Sequence, residues 1–173
     1  MTGAAGVAVR LRRSIDAVLG RVLMVLMAAL VMAVLWQVAT RYLLHNPSSY
    51  TDELARYLMI WVALLGAALM TGRRGHLAID ILPGRLAPAR RRYLDMFINS
   101  LIALFGLLVM VVGGSRLVFI TLTLEQASPA LQIPLGYIYL VIPFSGVLIV
   151  VYSLLNTIDT RRGDMLHQTE KAV

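Results

Sequence analysis

The stretch VLMVLMAALVMAVLWQVAT, residues 22–40, contains 19 consecutive uncharged residues, and most of them are aliphatic. A helix of about 20 residues, rising 1.5 Å per residue, crosses the ~30 Å hydrocarbon core of a bilayer. Arg21 precedes the stretch and Arg41 follows it, so a charged residue marks each end. The stretch therefore predicts a membrane-spanning helix.

Three more uncharged stretches follow, at residues 57–72, 96–115 and 126–158, the last with its apolar part from about 135 to 155. The 57–72 stretch covers only about 24 Å, so its helix is expected to begin earlier and to include Asp52, Glu53 and Arg56. We predict an all-α fold, an integral membrane bundle of four transmembrane helices that forms a single domain over residues 1–173. The predicted spans are about 18–44, 52–72, 94–116 and 134–156.

The composition excludes several classes of protein. Hydrophobic residues make up 59% of the chain and charged residues 14%, whereas soluble domains carry about 25% charged residues. The net charge is +7, but the arginines stand at the ends of the apolar stretches, which indicates membrane orientation rather than nucleic-acid binding. No cysteine is present, and all three histidines lie outside the apolar stretches. Thiolate metal sites and a bis-histidine haem within the bundle are therefore excluded, and no cofactor is expected.

The distribution of basic residues predicts the orientation. They concentrate before residue 22, between 73 and 92, and after 160, whereas the 41–52 and 116–132 connections carry only Arg41 and Arg116. The positive-inside rule then places both termini, residues 1–17 and 160–173, in the cytoplasm. It places the 72–93 loop there too, and residues 86–94 predict a short interfacial helix that leads into the third span. The first apolar stretch is too long for a signal peptide and lacks a good cleavage site, so we expect an uncleaved helix.

The centres of the predicted spans contain no charged residue or histidine, which argues against a self-contained ion-coupled carrier. Gln37 is the one strongly polar side chain of the first span. Asp52, Glu53 and Arg56 form the charged cluster nearest the hydrocarbon edge. Their spacing of three and four residues lets both acids face the arginine on one side of a helix. Two interpretations stay open: an ion pair that seats the helix, or a polar contact within the subunit or to a partner.

Small residues and prolines mark further positions. Small side chains let helix backbones approach closely, within the subunit or against a partner. They are Ala63, Gly66 and Ala67 in the second span and Gly106, Gly113 and Gly114 in the third. The stretch SPALQIP, residues 128–134, predicts a stiff entrance to the fourth span. Pro143, together with Gly146, is expected to kink that span.

Five stretches occur in a specific order: Asn46-Pro47, YTDELARYLMIW at 50–61, LGAA at 65–68, His76 and Asp80 with ILP at 81–83, and SPALQIP at 128–134 with Tyr137, Tyr139, Pro143 and Gly146. Together with the four spans, this combination resembles the small membrane subunit of tripartite ATP-independent periplasmic (TRAP) transporters. That family often has tryptophan at the position of Tyr50.

The resemblance implies a role in a bacterial inner-membrane complex. In this family the small subunit binds a large membrane subunit of many spans, which carries the substrate and sodium sites. A periplasmic binding protein delivers an organic acid, and an ion gradient rather than ATP drives uptake. The small subunit enlarges the static scaffold and is expected to help dock the binding protein. Phospholipids are the other expected partner.

No catalytic, substrate-binding or metal-binding residue is expected in this chain, and we do not expect an enzyme. The candidate partner-interface or assembly residues are Asp52, Glu53, Arg56, Trp61, Gly66, His76, Asp80, Ser128, Pro129, Pro134 and Pro143. Two alternatives stay open. One is a self-contained four-helix carrier or channel that acts as a homo-oligomer, and the other is a membrane enzyme or its cytochrome-like anchor.

Overall fold

The computed structural model describes the backbone of residues 3–43, 48–73 and 88–171, and the side chains of residues 10–43, 48–73 and 93–157. Its elements are helical. In chain order they are α1 (Gly3–Tyr42), α2 (Ser49–Gly72), α3 (Pro88–Phe105), a π-helical segment (Gly106–Gly113), α4 (Gly114–Thr123), α5 (Leu135–Tyr139) and α6 (Val141–Lys171).

Four stretches of the described chain are helical, long and apolar enough to cross a membrane: Arg10–Tyr42, Ser49–Gly72, Tyr93–Thr123 and Leu135–Thr157. This confirms the predicted all-α fold with four spanning helices. The second helix begins before Asp52, as its short uncharged stretch requires.

The helices extend beyond the predicted spans at several ends. α1 begins at Gly3 rather than near residue 18, and α3 begins at Pro88 rather than near residue 94. The helix of the third span continues through Arg116 to Thr123, and α6 continues to Lys171 rather than ending near residue 156. Arginine is a good helix former, so a charge at the edge of an apolar run does not end the helix.

The orientation and the interfacial helix stay predictions. α3 begins at Pro88, a residue whose fixed φ suits the first helical position, and it continues directly into the third span. His76 and Asp80 belong to residues 74–87 and lie outside the described residues.

The four spans pack in the spatial order first, second, fourth, third. α1 packs mainly against α2, α2 against α6, and α6 against α3 and the π-helical segment. The shared core contains Leu19, Leu65, Leu69, Ile149 and Tyr152. Because the first and third spans stand at the two edges, they bury much less of their surface than the fourth. The four spans therefore form a row. The first and third spans stand at its edges and are open to lipid or to another protein.

The third and fourth spans approach closely at glycines. A Cβ added at Gly146 would lie 2.6 Å from the Met110 Cβ and 3.1 Å from the Gly106 carbonyl oxygen. A Cβ at Gly114 would lie 2.8 Å from Ile142. Gly106 and Gly114 are buried by this contact, so their role is packing within the subunit.

The fourth span is interrupted at Leu140, between α5 and α6. Pro143 lies three residues further on and has no backbone N–H to donate to the Tyr139 carbonyl oxygen. The interruption therefore lies where a helix containing Pro143 is expected to lose a hydrogen bond.

Candidate functional site

Residues 124–135, which we call the hairpin, connect the third and fourth spans. Three backbone hydrogen bonds close it: Ser128 N–H donates to the Ile133 carbonyl at 2.9 Å, Gln132 N–H to the Ser128 carbonyl at 3.1 Å, and Leu135 N–H to the Gln126 carbonyl at 2.8 Å. Gln132 has a φ of 57° and Glu125 one of 48°, in the left-handed region. The hairpin is thus a compact turn rather than an extended connection.

Glu53 of α2 binds this hairpin directly. Its Oε2 accepts hydrogen bonds from the N–H groups of Ala130 at 2.9 Å and Leu131 at 3.0 Å. Its Oε1 accepts a hydrogen bond from the Tyr57 hydroxyl at 2.6 Å. The Ser128 hydroxyl faces the same carboxylate and is 1% exposed. Hydrogen bonds to a charged acceptor are the strong ones, so one carboxylate joins the second span to the hairpin.

Trp61 makes a second contact between the same elements. Its indole Nε1–H donates to the Ile138 carbonyl oxygen of α5 at 3.1 Å. Trp61 lies two helical turns beyond Glu53, on the same side of α2. Its ring packs against the shared core. We call Glu53, Tyr57 and Trp61 the clamp, because together they hold the hairpin and α5 against α2.

The spacing predicted that Asp52 and Glu53 can each pair with Arg56 and be partly neutralised by it, but the structure divides the cluster. The Arg56 guanidinium pairs with Asp52 at 2.9 Å, and Asp52 also accepts a hydrogen bond from the Gln37 amide at 2.8 Å. Glu53 points to the hairpin and forms no ion pair with Arg56 among the described residues. The two adjacent acids therefore have separate roles: Asp52 contacts α1, and Glu53 contacts the hairpin.

Substituting Arg56 by alanine is accordingly expected to have a small effect on the subunit itself. The arginine and aspartate side chains are 65% and 50% exposed, and exposed pairs of this kind contribute about 0–1 kcal/mol. Thermal unfolding of the detergent-solubilised subunit measures this change, with Gln37→Ala as the matched removal of the other Asp52 contact. A large loss of stability in Arg56→Ala alone would contradict the division of the cluster.

A second set of polar contacts lies at the Gly72 end of α2, away from the clamp. We call it the Gly72-end cluster. The Tyr152 hydroxyl of α6 donates to the Asp16 carboxylate of α1, and the Arg12 guanidinium donates to the Gly72 carbonyl of α2. The Asn156 amide donates to the Thr71 carbonyl at 3.0 Å. These contacts connect three spans at one level of the row.

Neither this cluster nor the partners of Glu53 could be predicted from the sequence. The Asn156–Thr71 contact joins residues 85 positions apart, and the Asp16–Tyr152 contact joins residues 136 apart. Only the packing of the helices identifies such pairs. The available signal was the presence of Asp16, Tyr152 and Asn156 near the ends of apolar runs, where polar side chains need partners.

The remaining candidate residues fall into three groups. Pro129 is exposed in the hairpin, while Pro134 immediately precedes α5 and Pro143 lies in the first turn of α6. Gly66 is half-buried, and a Cβ added there would meet nothing within 4 Å, so the described subunit leaves room for a side chain at this position. His76 and Asp80 lie outside the described residues.

Several of the described polar side chains form anchors between helices. Within these ranges no three histidine, aspartate or glutamate side chains are grouped as a metal site would require. The polar groups of the clamp and of the Gly72-end cluster form hydrogen bonds to neighbouring helices and to the hairpin. These bonds hold the helices of the row in place.

Comparison with known proteins identifies the family of the chain. Residues 30–163 match the family model described as tripartite ATP-independent periplasmic transporters, DctQ component. The chain is 30% identical over 122 residues to the sialic acid TRAP transporter small permease protein SiaQ of Vibrio cholerae, covering 67% of this chain and 70% of that protein. It is 28% identical over 135 residues to a putative TRAP transporter small permease protein of Haemophilus influenzae, covering 78% and 82%.

A third relative is much longer. The isethionate TRAP transporter permease protein DctMQ of Oleidesulfovibrio alaskensis is 30% identical over 125 residues, which cover 69% of this chain but 20% of that protein. These relatives are transporter subunits rather than enzymes. Four apolar helices and the match over most of the sequence lead to one assignment: the chain is a multi-pass protein of the bacterial inner membrane and belongs to the DctQ, small-permease family of TRAP transporters.

Proposed function

We propose that this chain is the small scaffold subunit of a TRAP-type secondary transporter. In this role it supports a large membrane subunit during ion-gradient-driven uptake of an organic acid delivered by a periplasmic binding protein. The observation that carries the proposal is the open row of spans, held together at the clamp and at the Gly72-end cluster. Such a structure offers a rigid surface for another membrane protein.

The comparisons support the partner and the substrate class. The longer DctMQ relative matches this chain over only 20% of its length, so most of that permease protein corresponds to something outside this chain. The relatives are named for sialic acid, isethionate and C4-dicarboxylates, which are all organic anions. We infer that the substrate of this transporter is also an organic anion, which the other subunits bind.

Transport measurements test the proposal. Proteoliposomes that contain this chain, its large permease subunit and its binding protein are expected to accumulate the organic acid when a sodium gradient is applied. Liposomes lacking this chain are expected to lose most uptake, because the large subunit then lacks part of its scaffold. Full uptake without this chain would overturn the scaffold role.

The same preparation tests the self-contained carrier or channel. Liposomes that contain this chain alone are expected to show no gradient-driven flux, since the centres of its predicted spans contain no charged residue or histidine that could couple an ion. Flux from the chain alone would favour the carrier or channel instead.

A further inference from the structure

The third span changes its helical form partway along its length. The π-helical segment Gly106–Gly113 lies between α3 and α4. A π-helix closes its hydrogen bonds over five residues instead of four, and sharp kinks in helices occur at such segments, at prolines and at glycines. The segment ends next to Gly114, where α4 begins. The third span therefore contains a place at which it can bend.

The fourth span is irregular at the same level. It is interrupted at Leu140, and Pro143 follows in the first turn of α6. A Cβ added at Gly114 would lie 2.8 Å from the Ile142 Cγ2 and 3.1 Å from the Pro143 Cδ, so the end of the π-helical segment lies directly against the proline. Two neighbouring spans thus depart from a regular α-helix at one depth.

The chain beyond this level packs as one unit. We call α4, the hairpin and α5 the outer unit. α4 and α5 pack mainly against each other and only slightly against α6. A Cβ added at Gly136 of α5 would overlap the Leu122 side chain of α4, and the three backbone hydrogen bonds of the hairpin join the two helices at their ends. The outer unit is therefore held together by its own contacts.

The clamp joins the outer unit to the second span. α2 has few close backbone contacts with α4 and α5, so the connection depends on side chains. Glu53 binds the N–H groups of Ala130 and Leu131, and Trp61 binds the Ile138 carbonyl oxygen. Both side chains bind backbone groups of the outer unit, and both lie on the hairpin side of the two irregularities.

We propose that the outer unit is hinged at Gly114 and Pro143, and that the clamp is a latch that keeps this hinge closed. While the latch is closed the row is rigid, as the scaffold role requires. When the latch opens, the outer unit tilts away from α2 as one body, and the row on the other side of Gly114 keeps its shape. The inference goes beyond the scaffold role, because it assigns a movable part to the subunit.

Distances between pairs of spin labels test the hinge. The chain contains no cysteine, so labels attach only to cysteines that are introduced at exposed positions. Leu35 and Leu124 form the hairpin-side pair, which measures the separation of the first span from the outer unit. Val18 and Leu101 form the Gly72-side pair, which measures the separation of the first and third spans on the other side of the hinge.

The latch variant combines Glu53→Gln with Trp61→Phe, which removes the indole N–H and weakens the carboxylate contacts. In phospholipid nanodiscs its hairpin-side distance is expected to exceed that of the wild type by about 5 Å, because a bend of about 20° displaces a tip that lies ~15 Å from the hinge by that amount. The Gly72-side distance is expected to stay unchanged.

A third substitution tests the position of the hinge. Pro143→Ala supplies the backbone N–H that the Tyr139 carbonyl oxygen lacks, so it stiffens the fourth span where the bend is placed. Added to the latch variant, it is expected to reverse most of the increase in the hairpin-side distance. An increase that persists would show that the bend lies elsewhere, and the hinge at Pro143 would be wrong.

The remaining outcomes separate tilting from a general loss of structure. An unchanged hairpin-side distance in the latch variant would overturn the inference, and so would an equal change in both pairs, which indicates loosening of the whole row. Limited proteolysis of the same variant measures whether the hairpin stays folded. Cleavage between residues 124 and 135 as fast as in Glu53→Ala would mean that the hairpin unfolds, and the outer unit would then not move as one body.

Discussion

Replacing Glu53 by alanine is expected to release the hairpin from the second span. The carboxylate accepts hydrogen bonds from Ala130, Leu131 and Tyr57. Its removal leaves the Ala130 N–H and the Tyr57 hydroxyl without their acceptor, and leaves the Leu131 N–H with only the longer bond to the Ser128 hydroxyl at 3.3 Å. Unsatisfied polar groups near the membrane are costly. We expect the thermal midpoint of the detergent-solubilised subunit to fall by about 5 °C or more. Limited proteolysis is expected to cut between residues 124 and 135, where the wild-type chain resists.

Asp52→Ala is the matched control for this variant. Asp52 is also an acid in the first turns of α2, but it is exposed and contacts Arg56 and Gln37 rather than the hairpin. Its loss is expected to leave the hairpin resistant to protease. Glu53→Gln is expected to lie between the two, because the amide keeps one acceptor oxygen and turns one donor toward other donors. Equal protease sensitivity in Asp52→Ala and Glu53→Ala would contradict the clamp.

The membrane-spanning helices are the part of the structure that the local sequence determines. The four spans follow from the apolar stretches, because length and hydropathy alone decide whether a helix crosses a bilayer. The early start of α2 follows from the shortness of its uncharged stretch. The end of the third span at Thr123 does not follow from the sequence. Arginine is a good helix former, so the position of Arg116 does not show where the helix ends.

The side-chain contacts depend on the spatial order of the helices. The spacing of Asp52 and Arg56 predicts their pairing because both lie on one helix face. The same spacing rule predicts a Glu53–Arg56 pair, which the structure replaces with a contact to Ala130 and Leu131, 77 and 78 residues away. The sequence marks Glu53 as important, but the partner is known only once the hairpin is seen to lie beside α2.

The glycines illustrate the same limit. Gly66 and Gly146 are each one small residue in an apolar span, and nothing in the flanking sequence separates their roles. In the structure a Cβ at Gly66 meets nothing within 4 Å, whereas one at Gly146 meets Met110 and Gly106. The difference arises because α6 packs on the third span, while this side of α2 has no neighbour within the described subunit.

Substitution of Gly146 is therefore expected to force the third and fourth spans apart. The Cβ of Gly146→Ala would lie 2.6 Å from the Met110 Cβ and 3.1 Å from the Gly106 carbonyl oxygen, and neither atom is the mobile end of a long side chain. Overpacking of this kind costs about 1–3 kcal/mol. Gly146→Leu adds three more carbon atoms in the same place and is expected to abolish the folded subunit.

A substitution at Gly66 is expected to have the opposite effect on the stability of the subunit. Gly66→Ala places its methyl group in open space, and alanine favours the helix over glycine by about 1 kcal/mol, so the isolated subunit is expected to be as stable as the wild type or more stable. Thermal unfolding of Gly146→Ala, Gly146→Leu and Gly66→Ala in one detergent compares the three variants directly. Similar midpoints for Gly146→Ala and Gly66→Ala would contradict the close contact of the third and fourth spans at Gly146.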